Sequence, residues 1–275
     1  MPWAELTDAR LYYELVGHGP SAMLVPGLGS TARFWDPIVP ELSRRFSLIL
    51  PENRGVGRSI SKRTPHSLSD LSSDLLELLD RLNVDQTHVI GASFGGCLAQ
   101  RFAVDHPDRM DKLVLISTAH RFGPYLTQVA QILGQALRRF PFETFLSTMG
   151  VLGTAPEFFD RQQSTPSRPA LPPGVSRKAV IQQLRCLASA RFDEGEYVIT
   201  APTLVVSGEY DALIPNCYAR KMAEAIPNSR FVVLRGCGHN PVMEDPDAVV
   251  PLLSEFLRDE QYLIAANSQP AESSA

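Results

Sequence analysis

A mainly parallel α/β sheet flanked by helices and broken once by a helical insertion is the architecture this chain predicts. Three observations carry that expectation. Short β-rich runs alternate with helix-period runs, those runs are continuously apolar, and the rhythm lapses from about His120 to about Ile199.

The β-rich runs are LYYELV near Leu11, AMLVP near Ala22, SLILP near Ser47, THVIG near Thr87, KLVLIS near Lys112, TLVVSG near Thr203 and RFVVL near Arg230. Unbroken apolar runs suit strands covered on both faces, which parallel sheets require. Between them Leu68, Leu71, Leu75, Leu79 and Leu82 recur at helical spacing, and Ser67 followed by Asp70 is a capping-box pattern. Asp245 and Pro246 read as N-cap and first residue of a last helix carrying Leu252, Leu253, Phe256 and Leu257, with Pro251 expected to kink it.

The lapse after His120 is too long for one connection and contains helix-like stretches such as QVAQILGQALRRF and RKAVIQQLRCLASARF. Residues 1–119 and 200–265 are therefore expected to form the core, and 120–199 a helical cap with a proline-rich loop from Ser164 to Gly174. The small polar residues 266–275 are expected to be a disordered tail.

Composition narrows the function. With 275 residues, 44% apolar and 20% charged, the chain has the make-up of an ordinary globular protein, and a net charge of -4 gives no field to collect nucleic acid or an anionic membrane. The amino terminus carries no secretory pattern and no segment is apolar enough to span a bilayer. Cys97, Cys186, Cys217 and Cys237 are scattered, without metal-ligand spacing or a disulfide framework, so a reducing cytoplasm and no metal are expected.

The chemistry is concentrated in Gly91-Ala92-Ser93-Phe94-Gly95, which follows the strand THVIG and precedes a helical run. On its own the pentapeptide could be a glycine turn with an incidental serine. Between strand and helix it is a nucleophile turn, in which small neighbours let a strained serine project at a helix amino terminus. A serine hydroxyl needs a base, and the base needs an acid to hold its tautomer. Gly208-Glu209-Tyr210-Asp211 follows TLVVS and Gly236-Cys237-Gly238-His239 follows RFVVL, so Asp211 and His239 fall on strand ends where ligands collect. Ser93 is expected as nucleophile, His239 as base and Asp211 as acid. The backbone N–H groups of Leu28, in Pro26-Gly27-Leu28-Gly29, and of Phe94 are the expected oxyanion donors.

On these motifs the chain resembles the α/β-hydrolase superfamily, especially small carboxylesterases, enol-lactonases and cofactor-free perhydrolases. The segments VPGLGS, ENRGVGRS, GASFGG, GEYDALIP and GCGHNPVMEDP carry the likeness over about Arg10 to Leu257, outside the insertion. The resemblance implies the same roles for Leu28, Ser93, Phe94, Asp211 and His239. Two positions depart from the family pattern: Pro26 stands where His is usual, and Glu52 where Asp is common. The expected reaction is cofactor-free cleavage of a small carboxylic ester or lactone through an acyl-enzyme, in a pocket lined by Trp35, Phe122, Leu213 and Val242. Carbon-carbon bond hydrolysis or perhydrolysis with the same residues stays open, as does a ligand receptor retaining the hydrolase fold.

Overall fold

All seven apolar runs lie in one nine-stranded sheet. The computed structural model describes residues 2–65, 67–120, 123–162, 174–188 and 197–258. Its strands are β1 (Trp3–Glu5), β2 (Ala9–Val16), β3 (Ser21–Val25), β4 (Ser47–Pro51), β5 (Ile60–Ser61), β6 (Thr87–Ala92), β7 (Met110–Ile116), β8 (Thr203–Gly208) and β9 (Ser229–Leu234). They run in the order β1-β2-β4-β3-β6-β7-β8-β9, with β5 on β2. Strands β3, β4, β6, β7, β8 and β9 are parallel, whereas β1, β4 and β5 pair with β2 antiparallel. The two strands that sequence did not suggest, β1 and β5, are three and two residues long, too short for a periodic signal.

The helices are α1 (Val39–Leu42), α2 (Leu68–Arg81), α3 (Phe94–Asp105), α4 (Pro124–Arg139), α5 (Phe142–Leu152), α6 (Pro156–Gln162), α7 (Arg177–Ala188), α8 (Asn216–Ala225), α9 (Pro241–Glu244) and α10 (Pro246–Arg258). Alternation along the central strands splits the core in two, because successive side chains leave opposite faces. Met23, Val25, Val89, Leu113, Leu115 and Val205 pack with α2, α3 and α8 on one face. Ala22, Leu24, Ile90, Val114, Ile116, Leu204 and Val206 pack with α1 and α10 on the other. That double cover is why the runs are continuously apolar.

Helix α2 buries Leu68, Leu71, Leu75, Leu78 and Leu79, each side chain contributing about 2 kcal/mol of apolar transfer. Its capping box is formed: Ser67 Oγ accepts the Asp70 N–H and Asp70 Oδ2 accepts the Ser67 N–H at 3.1 Å. Asp245 caps α10 by accepting the Ala248 N–H at 3.0 Å. The helix continues through Pro251, which has no N–H to offer the carbonyl of Asp247. At its far end the buried Lys112 of β7 donates to the carbonyls of Phe256 and Leu257, at 3.1 and 3.2 Å, and so satisfies the terminal acceptors that a helix leaves open.

Helices α4 to α7 lie between β7 and β8, within the segment expected as a cap. These two strands are parallel neighbours, so the long excursion leaves at Ile116, the end of β7, and crosses back to Thr203, the start of β8, which pairs with Leu113. The helices have a small core of their own, Leu137, Phe145 and Val180. Among the described residues no helix is long and apolar enough to cross a membrane. The tail over 266–275, Phe122 and most of the proline-rich loop lie outside the described residues.

Candidate active site

Ser93 sits between β6 and α3 with φ 53° and ψ -116°, a conformation that non-glycine residues seldom adopt. Neighbouring glycines make the turn possible. A Cβ on Gly95 would run into the Val25 and Pro26 carbonyl oxygens, and one on Gly91 would press on Ala99 at 2.8 Å. The turn is tied to the next strand by the Ser93 N–H, which donates to the Ile116 carbonyl at 2.8 Å. As N-cap of α3, Ser93 stands where the first amides of the helix are unpaired.

Asp211 follows β8 and is 5% exposed. Its Oδ1 accepts the N–H groups of Leu213 and Ile214 at 3.0 and 2.8 Å, which fixes the carboxylate plane before any partner arrives. His239, in the loop after β9, places Nδ1 2.9 Å from Asp211 Oδ2 and 3.0 Å from Oδ1, and Nε2 2.9 Å from Ser93 Oγ. An ionised carboxylate only accepts, so Nδ1 carries the proton and Nε2 is left to accept from the serine hydroxyl. The three side chains named from the sequence thus form one continuous hydrogen-bonded line. Glu209, two residues before Asp211, instead accepts the Gly236 N–H at 3.0 Å and bonds no part of His239.

The loop carrying His239 is held against the connection between α5 and α6. The His239 N–H donates to the Gly153 carbonyl at 2.9 Å, and Asn240 Nδ2 reaches the same oxygen at 3.3 Å. Glu244 accepts three N–H groups, from Ala155 and Gly238 through Oε2 and from Asn240 through Oε1, at 2.9, 2.8 and 3.1 Å.

The Pro26–Gly29 turn lies beside the serine, since a Cβ on Gly27 would stand 3.5 Å from Ser93 Cβ. Within it Gly29 donates to Gln183 Oε1 of α7 at 2.7 Å, and Ser30 to the Gly27 carbonyl at 3.1 Å. Among the described residues, the N–H groups of Leu28 and Phe94 donate to no acceptor. These two amides, one in the turn beside Ser93 and one in the residue after it, are therefore free to donate.

A cavity of about 600 Å³, counting the space at its open mouth, joins these parts. Ser93, His239, Leu28, Phe94 and Leu213 line it, together with a stripe of Leu126, Val129, Ala130 and Leu133 from α4, Met149 from α5, and Leu184 and Leu187 from α7. Two expectations for the pocket are corrected. Trp35 and Val242 are wholly buried, because both side chains pack with Ile38, Val249, Leu253 and Phe256 in the core layer under α10 and not toward the cavity. The wall is made instead by the α4 stripe, spaced three and four residues apart; Val129, Ala130 and Leu133 of it fall in QVAQILGQALRRF, where periodicity predicts a helix but not which cavity its face meets. Cys97 also lines the cavity; burial pushes its thiol up to about 11, so it stays protonated and is no rival nucleophile at neutral pH.

Glu52, the departure in ENRGVGRS, is 1% exposed and paired with the Arg58 guanidinium at 2.6 Å, away from the cavity. Among the described residues no cluster of three or more His, Cys, Asp or Glu side chains could hold a metal ion.

Fold and site define the class. Residues 23–246 match the alpha/beta hydrolase fold family, and the chain belongs to it and is a hydrolase. Among curated relatives it is 30% identical over 270 residues to a protein of Caulobacter sp. (strain K31) with the provisional name carbamate hydrolase RutD, covering 91% of this chain and 96% of that one. Among solved structures it is similar to a thermophilic esterase from Thermogutta terrifontis, at 27% identity and TM-score 0.79 over 93% of this chain and 98% of that one. The enol-lactonase from Burkholderia xenovorans LB400 superposes with TM-score 0.84 over 94% of this chain and 100% of that one; at 24% identity it speaks for the fold alone.

Proposed function

We propose that the protein is a serine hydrolase that cleaves a small carboxylic ester or lactone through an acyl-enzyme. The observation that carries this reading is the line from Asp211 through His239 to Ser93 Oγ, with the serine in a strained turn at a helix amino terminus. His239 Nε2 takes the hydroxyl proton as Ser93 Oγ attacks the carbonyl carbon, and Asp211 stabilises the imidazolium that forms. The Leu28 and Phe94 amides hold the oxyanion. Collapse expels the alkoxide, which takes the proton from His239; water activated by the same imidazole then hydrolyses the acyl-enzyme, and the site returns to its first state. The step needs no metal or organic cofactor.

The apolar wall contributed by α4, α5 and α7 supports a modest uncharged acyl group, with these helices acting as a cap over the strand ends. The free cysteines, of which Cys97, Cys186 and Cys237 are buried, support a cytoplasmic location. The test is reaction with an organophosphate, adduct mapping by peptide mass, and turnover of a panel of chromogenic esters and lactones. Labelling at Ser93 with turnover is expected. Stoichiometric ester binding without labelling would replace the enzyme with a receptor on the same fold.

A second reading is favoured by the Caulobacter relative named as a carbamate hydrolase, which matches nearly the whole chain. The same attack on a carbamoyl carbon gives a carbamoyl-enzyme. Carbamates and esters of matched size, compared for product release, separate the two.

A further inference from the structure

Five residues with polar side chains border the cavity: Ser93, Cys97, Ser117, Thr118 and His239. Four of them are occupied. Ser93 and His239 bond each other at 2.9 Å, and the Cys97 thiol lies 3.3 Å from Thr118 Oγ1. Ser117 Oγ has no hydrogen-bond partner, although the residue is 0% exposed. A buried hydroxyl without a partner loses its hydration and recovers nothing, so native proteins seldom leave one unpaired.

The position of Ser117 limits what could satisfy it. It is the first residue after β7, and Ala92 and Ile116 are cross-strand partners, so Ser117 stands beside Ser93 on the adjacent strand end. Neighbouring strands are about 4.8 Å apart, which brings the two serines to the same part of a bound molecule. On the other side the Ser117 N–H donates to the Val206 carbonyl at 2.8 Å, locking the residue between the strand ends that bear Ser93 and lead to Asp211. Its φ of 50° is a second costly feature at one residue, and such strain persists where the surroundings fix a functional geometry.

We infer that the Ser117 hydroxyl is a specificity-determining contact that hydrogen-bonds a polar atom within one or two bonds of the scissile carbonyl. The preferred substrates are therefore esters whose acyl group carries an oxygen or nitrogen close to the carbonyl carbon, as an α-alkoxy, α-hydroxy or carbamate group does, with the apolar cavity taking the remainder. This rests on the hydrolase reading proposed above.

The test compares Ser117→Ala with the unmodified protein on two esters of nearly equal size, 4-nitrophenyl methoxyacetate and 4-nitrophenyl butyrate. The substitution keeps the strained backbone and removes the hydroxyl alone. A fall in kcat/KM of about 10-fold for the methoxyacetate, with the butyrate unchanged or faster, is expected. Comparing each ester with itself removes the difference in intrinsic reactivity. Equal losses on both esters would overturn the inference and make the hydroxyl a group used in every turnover. No change on either would overturn it too, leaving a core hydroxyl. Organophosphate labelling of Ser93 in both proteins keeps the outcomes apart: labelling that survives in Ser117→Ala leaves the hydrolase reading standing whether or not the ester pair separates, and no labelling in either protein removes the hydrolase reading itself.

Discussion

Glu244 and Ala155 are 89 residues apart in sequence and joined by a 2.9 Å hydrogen bond from the Ala155 N–H to Glu244 Oε2. The same oxygen accepts the N–H of Gly238, the residue before His239, at 2.8 Å. One carboxylate therefore fixes the start of the imidazole's loop and the connection between α5 and α6 together. Glu244→Gln replaces an acceptor with an amide that has its own hydrogens to place. A stability loss of about 1 to 3 kcal/mol in thermal unfolding and a fall in kcat of about 10-fold are expected. The rate of organophosphate capture reports how well His239 activates Ser93. If unfolding shifts and that rate does not, the clamp serves the fold and not the imidazole.

Asp211→Asn keeps an acceptor for the Leu213 and Ile214 amides but no longer enforces the proton on His239 Nδ1. Turnover should fall by about 10^3 to 10^4 while the unfolding curve moves little. Turnover close to that of the unmodified protein would place the acid elsewhere. Glu209 is a poor substitute, because its carboxylate is engaged with the Gly236 N–H.

Ser93→Ala removes the attacking oxygen and retains the turn, the helix and the amides of Leu28 and Phe94. The expected loss in kcat is about 10^4 to 10^6, with stability unchanged or slightly raised. Ester hydrolysis at the unmodified rate would end the proposed mechanism.

Leu133 lies on the α4 stripe that walls the cavity. Leu133→Ala should shift preference toward longer or branched acyl chains by about 1 to 3 kcal/mol in relative kcat/KM, measured over an ester series of increasing length. A uniform change across the series would deny this helix a part in selecting the acyl group.

Cys97, Cys186 and Cys237 are all buried, and burial pushes each thiol up to about 11, whereas Cys217 is exposed. A raised thiol value lowers the thiolate fraction at every pH below it. Brief iodoacetamide treatment of the folded protein at about pH 7.5 should therefore modify Cys217 and spare the others by peptide mass, with hydrolysis unaffected. Modification of Cys97 before unfolding would show the cavity floor to be more open than it is here.

How much of this was legible in the sequence follows from the range of the forces involved. The strands, the α2 leucine stripe and its Ser67–Asp70 box are set by local periodicity and short-range hydrogen bonds, which a linear reading captures. Ser93, Asp211 and His239 were legible because each sits on a strand end with turn residues around it, so their order along the chain stood in for their convergence in space. The pocket wall was not legible in that way. Trp35 and Val242 look like pocket residues because they are apolar and close in sequence to the site, yet side-chain direction turned them into the core. Ser117 follows an apolar strand as any loop serine does; only the placement of β7 beside β6 brings this residue to the border of the cavity.

The excursion that holds α4 to α7 departs from β7 and rejoins at β8, two strands in direct register. It leaves from Ile116 and re-enters at Thr203, which pairs with Leu113, so its two roots are held three residues, about 10 Å, apart along the sheet whatever lies between them, and changing the length of such a loop costs little, about 0.6 kcal/mol per doubling. Most of the cavity's apolar wall is rooted in this excursion, and the Ser93, Asp211 and His239 line is rooted in the sheet. The molecule is thus built as a fixed tool with an exchangeable handle: a different excursion can be grafted onto the same two roots, provided it again offers a carbonyl for His239 to lean on.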